Sequence, residues 1–373
     1  MSIEPGPSAP ALRSRIHGCL LGGALGDALG YAVGTDSMEE IRRRFGGHGL
    51  TDFRELSGSP FSDETQLTLY TVDGLVEALE WANSGVGADV NACLWLAYLR
   101  WLATQGESAP AAAPAPQPRW IDRQSVLHER RRPDKASISG LATGEMGTVF
   151  RPVNPVSKGC GTVVRSAPFG LVPHITPDSV YKLSADAASL THGHPAARQS
   201  AGIFSLLIHR LVTGEGLHEA AAAVAARSRS LNEVAPELPD RLESALRLAG
   251  EGVVSPEELT EALGEGRTAA EALAVALYAV LATAPGTGGT GGDKQGTDDA
   301  GAGTLPVRHF RTALALAVNH GGNSDSTGSL AGNILGAFYG EECLPADWLG
   351  SLEAPEAVRG MADLLVRVTT AEG

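Results

Sequence analysis

Two short runs concentrate oxygen-bearing side chains. Phe61-Ser62-Asp63-Glu64-Thr65-Gln66 follows a stretch rich in Gly, Ser and Pro at 57–60 and opens a long helical pattern. Gly321-Gly322-Asn323-Ser324-Asp325-Ser326-Thr327 ends one helical pattern and opens another. Carboxylate, hydroxyl and carbonyl oxygens at this density suit a hard divalent cation such as Mg²⁺, Mn²⁺ or Ca²⁺. Ser62, Asp63 and Glu64 offer three oxygens from one turn, and Asn323, Asp325 and Ser326 offer a second set. A carboxylate shared between the sets would hold two cations close together, as two-metal hydrolysis requires. Taken singly, each run is better explained as a helix cap, because Ser and Asp satisfy free backbone N–H groups and acids suit a helix N-terminus.

Two further segments bear on chemistry. Asn154 to Thr162, followed by Val163-Val164-Arg165, includes Ser157-Lys158-Gly159-Cys160-Gly161. Its glycines allow close backbone approach to a ligand, and Ser157, Lys158 and backbone N–H groups are placed to meet a pyrophosphate. It matches neither a P-loop nor a dinucleotide-binding fingerprint, and a tight turn is the plainer reading. In Thr191-His192-Gly193-His194-Pro195 the two histidines lack a third His or Cys partner nearby, which argues against zinc and for a helix N-terminus with one useful imidazole.

The elements that must position these residues read as helices. Ile16, Leu20, Ala24 and Ala28 recur at helical spacing over 12–29, interrupted by Gly18, Gly22, Gly23, Gly26 and Gly30. Those glycines weaken the helix locally but let another backbone come close. Helices are also expected over 65–82, 91–102, 195–213, 216–229, 237–250, 255–264, 267–283, 308–319, 327–338 and 356–368. Alternation at strand spacing is nearly absent, so the fold class is all-α. One domain is expected over 11–373, with a disordered tail at 1–10 and flexible low-complexity insertions at 108–118 and 286–303.

Of the 373 residues, 43% are hydrophobic and 19% charged, a globular composition. The net charge of −14 excludes a broad basic surface for long nucleic acid. The four cysteines, Cys19, Cys93, Cys160 and Cys343, are scattered without metal or disulfide spacing, which fits reduced thiols in a cytoplasm. The N-terminal residues lack a signal-peptide pattern, and no apolar run is long enough to span a membrane.

In this order, the segments resemble the ADP-ribosylglycohydrolase family. The matching pieces are GCLLGGALGDALG (18–30), FSDETQLTL (61–69), SKGCGTVVRSAPFGL (157–171), LTHGHPAA (190–197), EALAVALYAVL (271–281) and NHGGNSDSTGSLAGNILGA (319–337). The resemblance implies a compact, orthogonal multi-helix fold with a binuclear Mg²⁺ or Mn²⁺ site. It places Ser62, Asp63 and Glu64 on the first ligand set and Asn323, Asp325 and Ser326 on the second, with Asp325 bridging. It places Ser157, Lys158, Gly159, Cys160 and Gly161 along the ADP-ribose and His192 at a position that contacts the ligand. The implied reaction is hydrolysis at C1″ of the distal ribose, with Asp63 or Glu64 removing a proton from the attacking water. The implied partner is an ADP-ribosylated protein or an ADP-ribosyl small molecule, and a monomer is expected.

Three positions depart from the family pattern. Glu64 stands where a second Asp is usual, which keeps the charge and adds a methylene. Asn323 stands where Asp is usual, which removes a full charge from the second cation set. Gly34 stands where the serine-directed relative carries a functional Glu, and this tilts the reading toward an arginine-linked N-glycosidic bond. The expected function is removal of ADP-ribose from such a target. The alternatives are an ADP-ribose-binding module disabled by Asn323, and a hydrolase of a small or nucleobase-linked ADP-ribosyl substrate.

Overall fold

A computed structural model describes residues 10–231, 233–285 and 303–370. The expected tail at 1–10 and insertion at 286–303 lie outside these residues, apart from Pro10 and Gly303. Among the described residues the architecture is all-helical. It runs α1 (Leu12–Tyr31), α2 (Met38–Phe45), α3 (Asp63–Asn83), α4 (Val90–Thr104), α5 (Lys135–Ala142), α6 (Gly161–Val164), α7 (Ala167–Gly170), α8 (Pro177–Ala188) and α9 (Pro195–Val212). It continues with α10 (Leu217–Arg229), α11 (Glu237–Glu251), α12 (Pro256–Leu263), α13 (Ala269–Ala282), α14 (Leu305–Val318), α15 (Ser324–Tyr339), α16 (Ala346–Ser351) and α17 (Pro355–Thr370). The described residues contain no strand, only an isolated antiparallel bridge between Gly159 and Thr268. The expected insertion at 108–118 is irregular, with one turn closed by Ala113 N–H to Pro110 O.

The centre of the molecule is built from helices that are apolar on all sides. Every residue of α13 except Glu271 is buried, and Thr268 and Glu271 close its N-terminus as a reciprocal capping box. Against it lies α15, and against α15 lies α1. The glycines of α1 explain how closely these two helices approach. A Cβ on Gly18 would stand 2.6 Å from Gly336 O, and one on Gly22 would stand 2.4 Å from Gly332 O. On Gly26 it would meet Gly328 O at 2.0 Å, and on Gly30 it would meet Ser324 O at 2.0 Å. As the positions rise along α1 they fall along α15, so the helices run antiparallel with backbone against backbone. No side chain fits between them.

This contact positions the functional residues. It brings the C-terminal end of α1, with Asp27 and Gly30, beside the N-terminus of α15, where Asn323, Asp325 and Ser326 stand. The N-terminus of α3 joins them through Asp27, whose Oδ2 accepts Ser62 N–H at 3.0 Å, Thr65 N–H at 3.1 Å and the Thr65 hydroxyl at 2.5 Å. No helix among the described residues is long and apolar enough to cross a membrane.

Candidate active site

The two acidic runs meet. Asp63 and Glu64 from α3 line the same cavity of about 280 Å³ as Asn323 and Asp325 from α15. The link is direct: Ser326 Oγ donates to Glu64 Oε1. Asn323 Nδ2 in turn donates to Ser326 Oγ at 2.6 Å and to Cys160 Sγ at 3.4 Å. Capping accounts for only part of this. Ser62 does cap α3, accepting Glu64 N–H at 3.0 Å. Asn323 occupies the corresponding place on α15 but its side chain makes no capping bond. Its amide is turned to Ser326 and Cys160 instead.

Asp27 and Asp134 complete the group, and the reading of the sequence singled out neither. Asp27 is wholly buried. Asp134 caps α5 through its Oδ2, which accepts Ser137 N–H at 2.8 Å. Its own N–H donates to Asp63 Oδ2 at 3.0 Å, and its carboxylate borders the cavity. The signal for Asp27 is a lone acid within the otherwise apolar stretch 18–30, a placement too costly without a use for the charge. Asp134 is signalled only by an Asp just ahead of a helix.

Electrostatics show what the cluster lacks. Burial pushes the Asp27 carboxyl up to about 7, and repulsion from Asp325 adds to the rise. Burial also raises Asp63 and Glu64 well above the usual carboxylate range, and each is raised further by Asp325 and Asp27. Asp325 is raised by burial, against the Ser326 N–H and the nearby Arg132 guanidinium, which favour its charged form. Asp134 goes the other way: burial would raise it, but His192 and Ser137 hold it well below the ordinary value. Two buried oxygens, Asp27 Oδ1 and Glu64 Oε2, have no hydrogen-bond partner.

This donor set fits a hard divalent cation. It offers several carboxylates with hydroxyl and amide oxygens and two unpartnered buried oxygens. Among the described residues, no three His, Cys, Asp or Glu side chains already stand together as a metal-holding group. Ser326, which lies outside that set of residue types, links Asp325 through its N–H and Glu64 through its hydroxyl.

The glycine segment forms another wall. Gly159, Cys160 and Gly161 line the cavity, whereas Ser157, Lys158 and His192 do not. Lys158 Nζ lies 2.7 Å from Glu237 Oε1, so the expected pyrophosphate-binding amine is engaged at the surface. His192 is fully buried behind the loop, its Nε2 3.2 Å from Asp134 Oδ2 and its Nδ1 2.8 Å from Thr191 Oγ1. Arg165 donates to that same Thr191 oxygen at 2.6 Å. A Cβ on Gly159 would come within 3.1 Å of that Nε2, so the loop's path over the imidazole favours glycine.

Comparison with known proteins settles the family. A family model described as ADP-ribosylglycohydrolase matches residues 8–373. The chain belongs to the ADP-ribosylglycohydrolase family. Bovine ADP-ribosylhydrolase ARH3 is 25% identical over 406 residues, covering 97% of this chain and 95% of the relative. The ADP-ribosyl-[dinitrogen reductase] glycohydrolase of Rhodospirillum rubrum is 23% identical, covering 96% of this chain and 98% of the relative. A solved structure titled as an ADP-ribosylglycohydrolase-related protein complex superposes with a TM-score of 0.64 at 22% identity. It covers 96% of this chain and 99% of that one, and it shares the all-helical fold. An ADP-ribosylglycohydrolase is a hydrolase that removes ADP-ribose, and that is the activity of this chain at the level the family defines.

Proposed function

We propose that this ADP-ribosylglycohydrolase depends on divalent cations and releases ADP-ribose from an arginine-linked target. The observation that carries the cation dependence is the convergence of Asp27 and Asp63, both buried, with the half-buried Glu64 and Asp325, where Asp27 Oδ1 and Glu64 Oε2 have no hydrogen-bond partner among the described residues and Arg132 favours the charged form of Asp325. Such a group holds its charges only when a cation joins it.

Asp63, Glu64 and Asp325 are the carboxylate ligands in this reading, with Ser62, Asn323 and Ser326 contributing neutral oxygens. A Mg²⁺ or Mn²⁺ held there would supply a water of lowered pKa. Asp27 holds the Ser62–Thr65 turn in place through three hydrogen bonds to one oxygen. Glu64 Oε1 is fixed by Ser326, which leaves the unpartnered Oε2 to take a proton from the water that adds to C1″, while the C1″–nitrogen bond breaks and the departing guanidine takes up a proton in exchange. The Gly159–Gly161 backbone admits the ADP-ribosyl group, and His192 supports that backbone from behind.

The linkage reading rests on Gly34. A Cβ there would stand 3.4 Å from Asp325 Oδ2, so the position borders the acids and presents no carboxylate to them. That is the place at which the serine-directed relative carries its Glu. Cation-depleted protein assayed on ADP-ribosylarginine, ADP-ribosylserine and an O-acyl-ADP-ribose, with Mg²⁺ or Mn²⁺ restored, tests both halves. Release from the arginine conjugate alone, only with cation, is expected. Full activity in a chelator, or preference for serine, would overturn the corresponding half.

Asn323 favours one second reading, an ADP-ribose binder of low turnover, because its amide spends a donor on Ser326 where a carboxylate would accept. Asn323→Asp separates the two. It is expected to tighten divalent-cation binding by about tenfold or more by calorimetry, since one added nearby charge is worth more than about 1.4 kcal/mol. Turnover that appears only in the variant would establish the binder; turnover already present in the natural chain would dismiss it.

A further inference from the structure

We infer that Arg267 is the residue that fixes the diphosphate of the ADP-ribosyl group. This rests on the hydrolase reading above and concerns the same cavity. A diphosphate brings two negative charges into a site already crowded with acids. It therefore needs a cationic partner of its own, set apart from the carboxylates. Lys158 does not line the cavity; it lies outside it, against Glu237.

Two cations do line the cavity, Arg132 and Arg267. Arg132 is occupied. Its guanidinium lies 3.9 Å above the Tyr31 ring and donates to Tyr31 O at 3.0 Å. It also sits on the acid side, where it acts on Asp325.

Arg267 sits against the glycine loop and is held there from two directions. On one side Thr268 makes the antiparallel bridge to Gly159, Ala269 N–H donates to Lys158 O at 2.9 Å, and Cys160 Sγ donates to Gly266 O at 3.0 Å. On the other side Asn323 N–H donates to Glu265 O at 2.8 Å. Gly266 between them has φ +72°, and a Cβ on it would meet Thr327 at 2.9 Å. The segment 265–269 is thus pinned between the loop that admits the ADP-ribosyl group and the second acidic run, with the Arg267 side chain facing the cavity.

The guanidinium is also available. Its recorded partner is Glu265, which its Nε meets at 2.5 Å, and both side chains are more than half exposed. An exposed pair of this kind contributes little and exchanges readily. Among the described residues neither Nη group is engaged, so both can meet phosphate oxygens, a geometry a lysine cannot reproduce.

Calorimetry on the full chain with Mg²⁺ present tests the assignment, using ADP-ribose, AMP and adenosine against the natural protein, Arg267→Ala and Arg267→Lys. Arg267→Ala is expected to weaken ADP-ribose by about tenfold to a hundredfold, as for charged hydrogen bonds. AMP should weaken less and adenosine not at all, with partial recovery in Arg267→Lys. In turnover the loss should fall on KM rather than kcat. Equal weakening of adenosine and ADP-ribose would mean a merely structural role and would overturn the inference. So would unchanged ADP-ribose binding in Arg267→Ala, or a larger loss in Lys158→Ala. A natural protein that binds no ADP-ribose would bring down the hydrolase reading itself, and this inference with it.

Discussion

Asp325→Ala is expected to lower kcat/KM by about a thousandfold or more while leaving the folded protein at least as stable in the presence of a chelator. The first half follows from position. Asp325 repels both Asp27 and Glu64, borders the cavity, and is the carboxylate proposed to be shared between the cation sets. Losing it removes several kcal/mol of transition-state stabilisation, and each 1.36 kcal/mol is tenfold. The second half follows from sign. A buried acid whose pKa is raised by burial weakens the cation-free fold when it is charged. Deleting it relieves Asp27, Asp63 and Glu64 at once. Melting in EDTA and in Mg²⁺ separates the effects: the natural chain should gain stability from the cation and the variant should not. A variant that melts well below the natural chain in EDTA would show that Asp325 is a structural acid, and the cation argument would lose its centre.

Gly26→Val is expected to destabilise the fold by about 3 kcal/mol or more, near the upper end for overpacking. The atom that a side chain would strike is the main-chain oxygen of Gly328, 2.0 Å from the added Cβ, and main chain cannot swing aside as a side chain can. The helices would have to separate, and with them the ends that carry Asp27 and Asp325. Chemical denaturation reads the stability, and a parallel loss of cation affinity reads the displaced site. Gly250→Ala is the matched control. Nothing lies within 4 Å of its added Cβ and it falls within α11, so it should stabilise by about 0.5–1 kcal/mol. If Gly26→Val were as mild as Gly250→Ala, the close approach of α1 and α15 would be wrong.

Much of this was legible from residue order because its causes are local. Helical periodicity marks α3, α4, α9 and α13 to within a few residues, and the glycine spacing of α1 announces a close neighbour without naming it. The helices that escaped notice are α2, α5 and α8 and the shortest turns. In α2 the only buried residue is Ile41, too little for a periodic stripe, and α8 mixes Asp, Lys and Ser into its repeat. At the site, the runs around Asp63 and Asp325 were visible as clusters, and the structure brings them together. Asp27 and Asp134 were not, since each is a single acid whose partners lie far along the chain. Lys158 shows the same blindness in reverse. Its local setting suits a phosphate, but Glu237, which occupies it, is distant in sequence. Pairings made by the fold leave no local trace.

The backbone contact between α1 and α15 has an implication for how this chain tolerates change. Distances across the site are ruled off in peptide units along two touching spines. The groups at their tips do not set those distances. A side chain at the tip can therefore be exchanged without the frame shifting beneath it. Chemistry at the tips is free to drift while the keel that carries them stays the same.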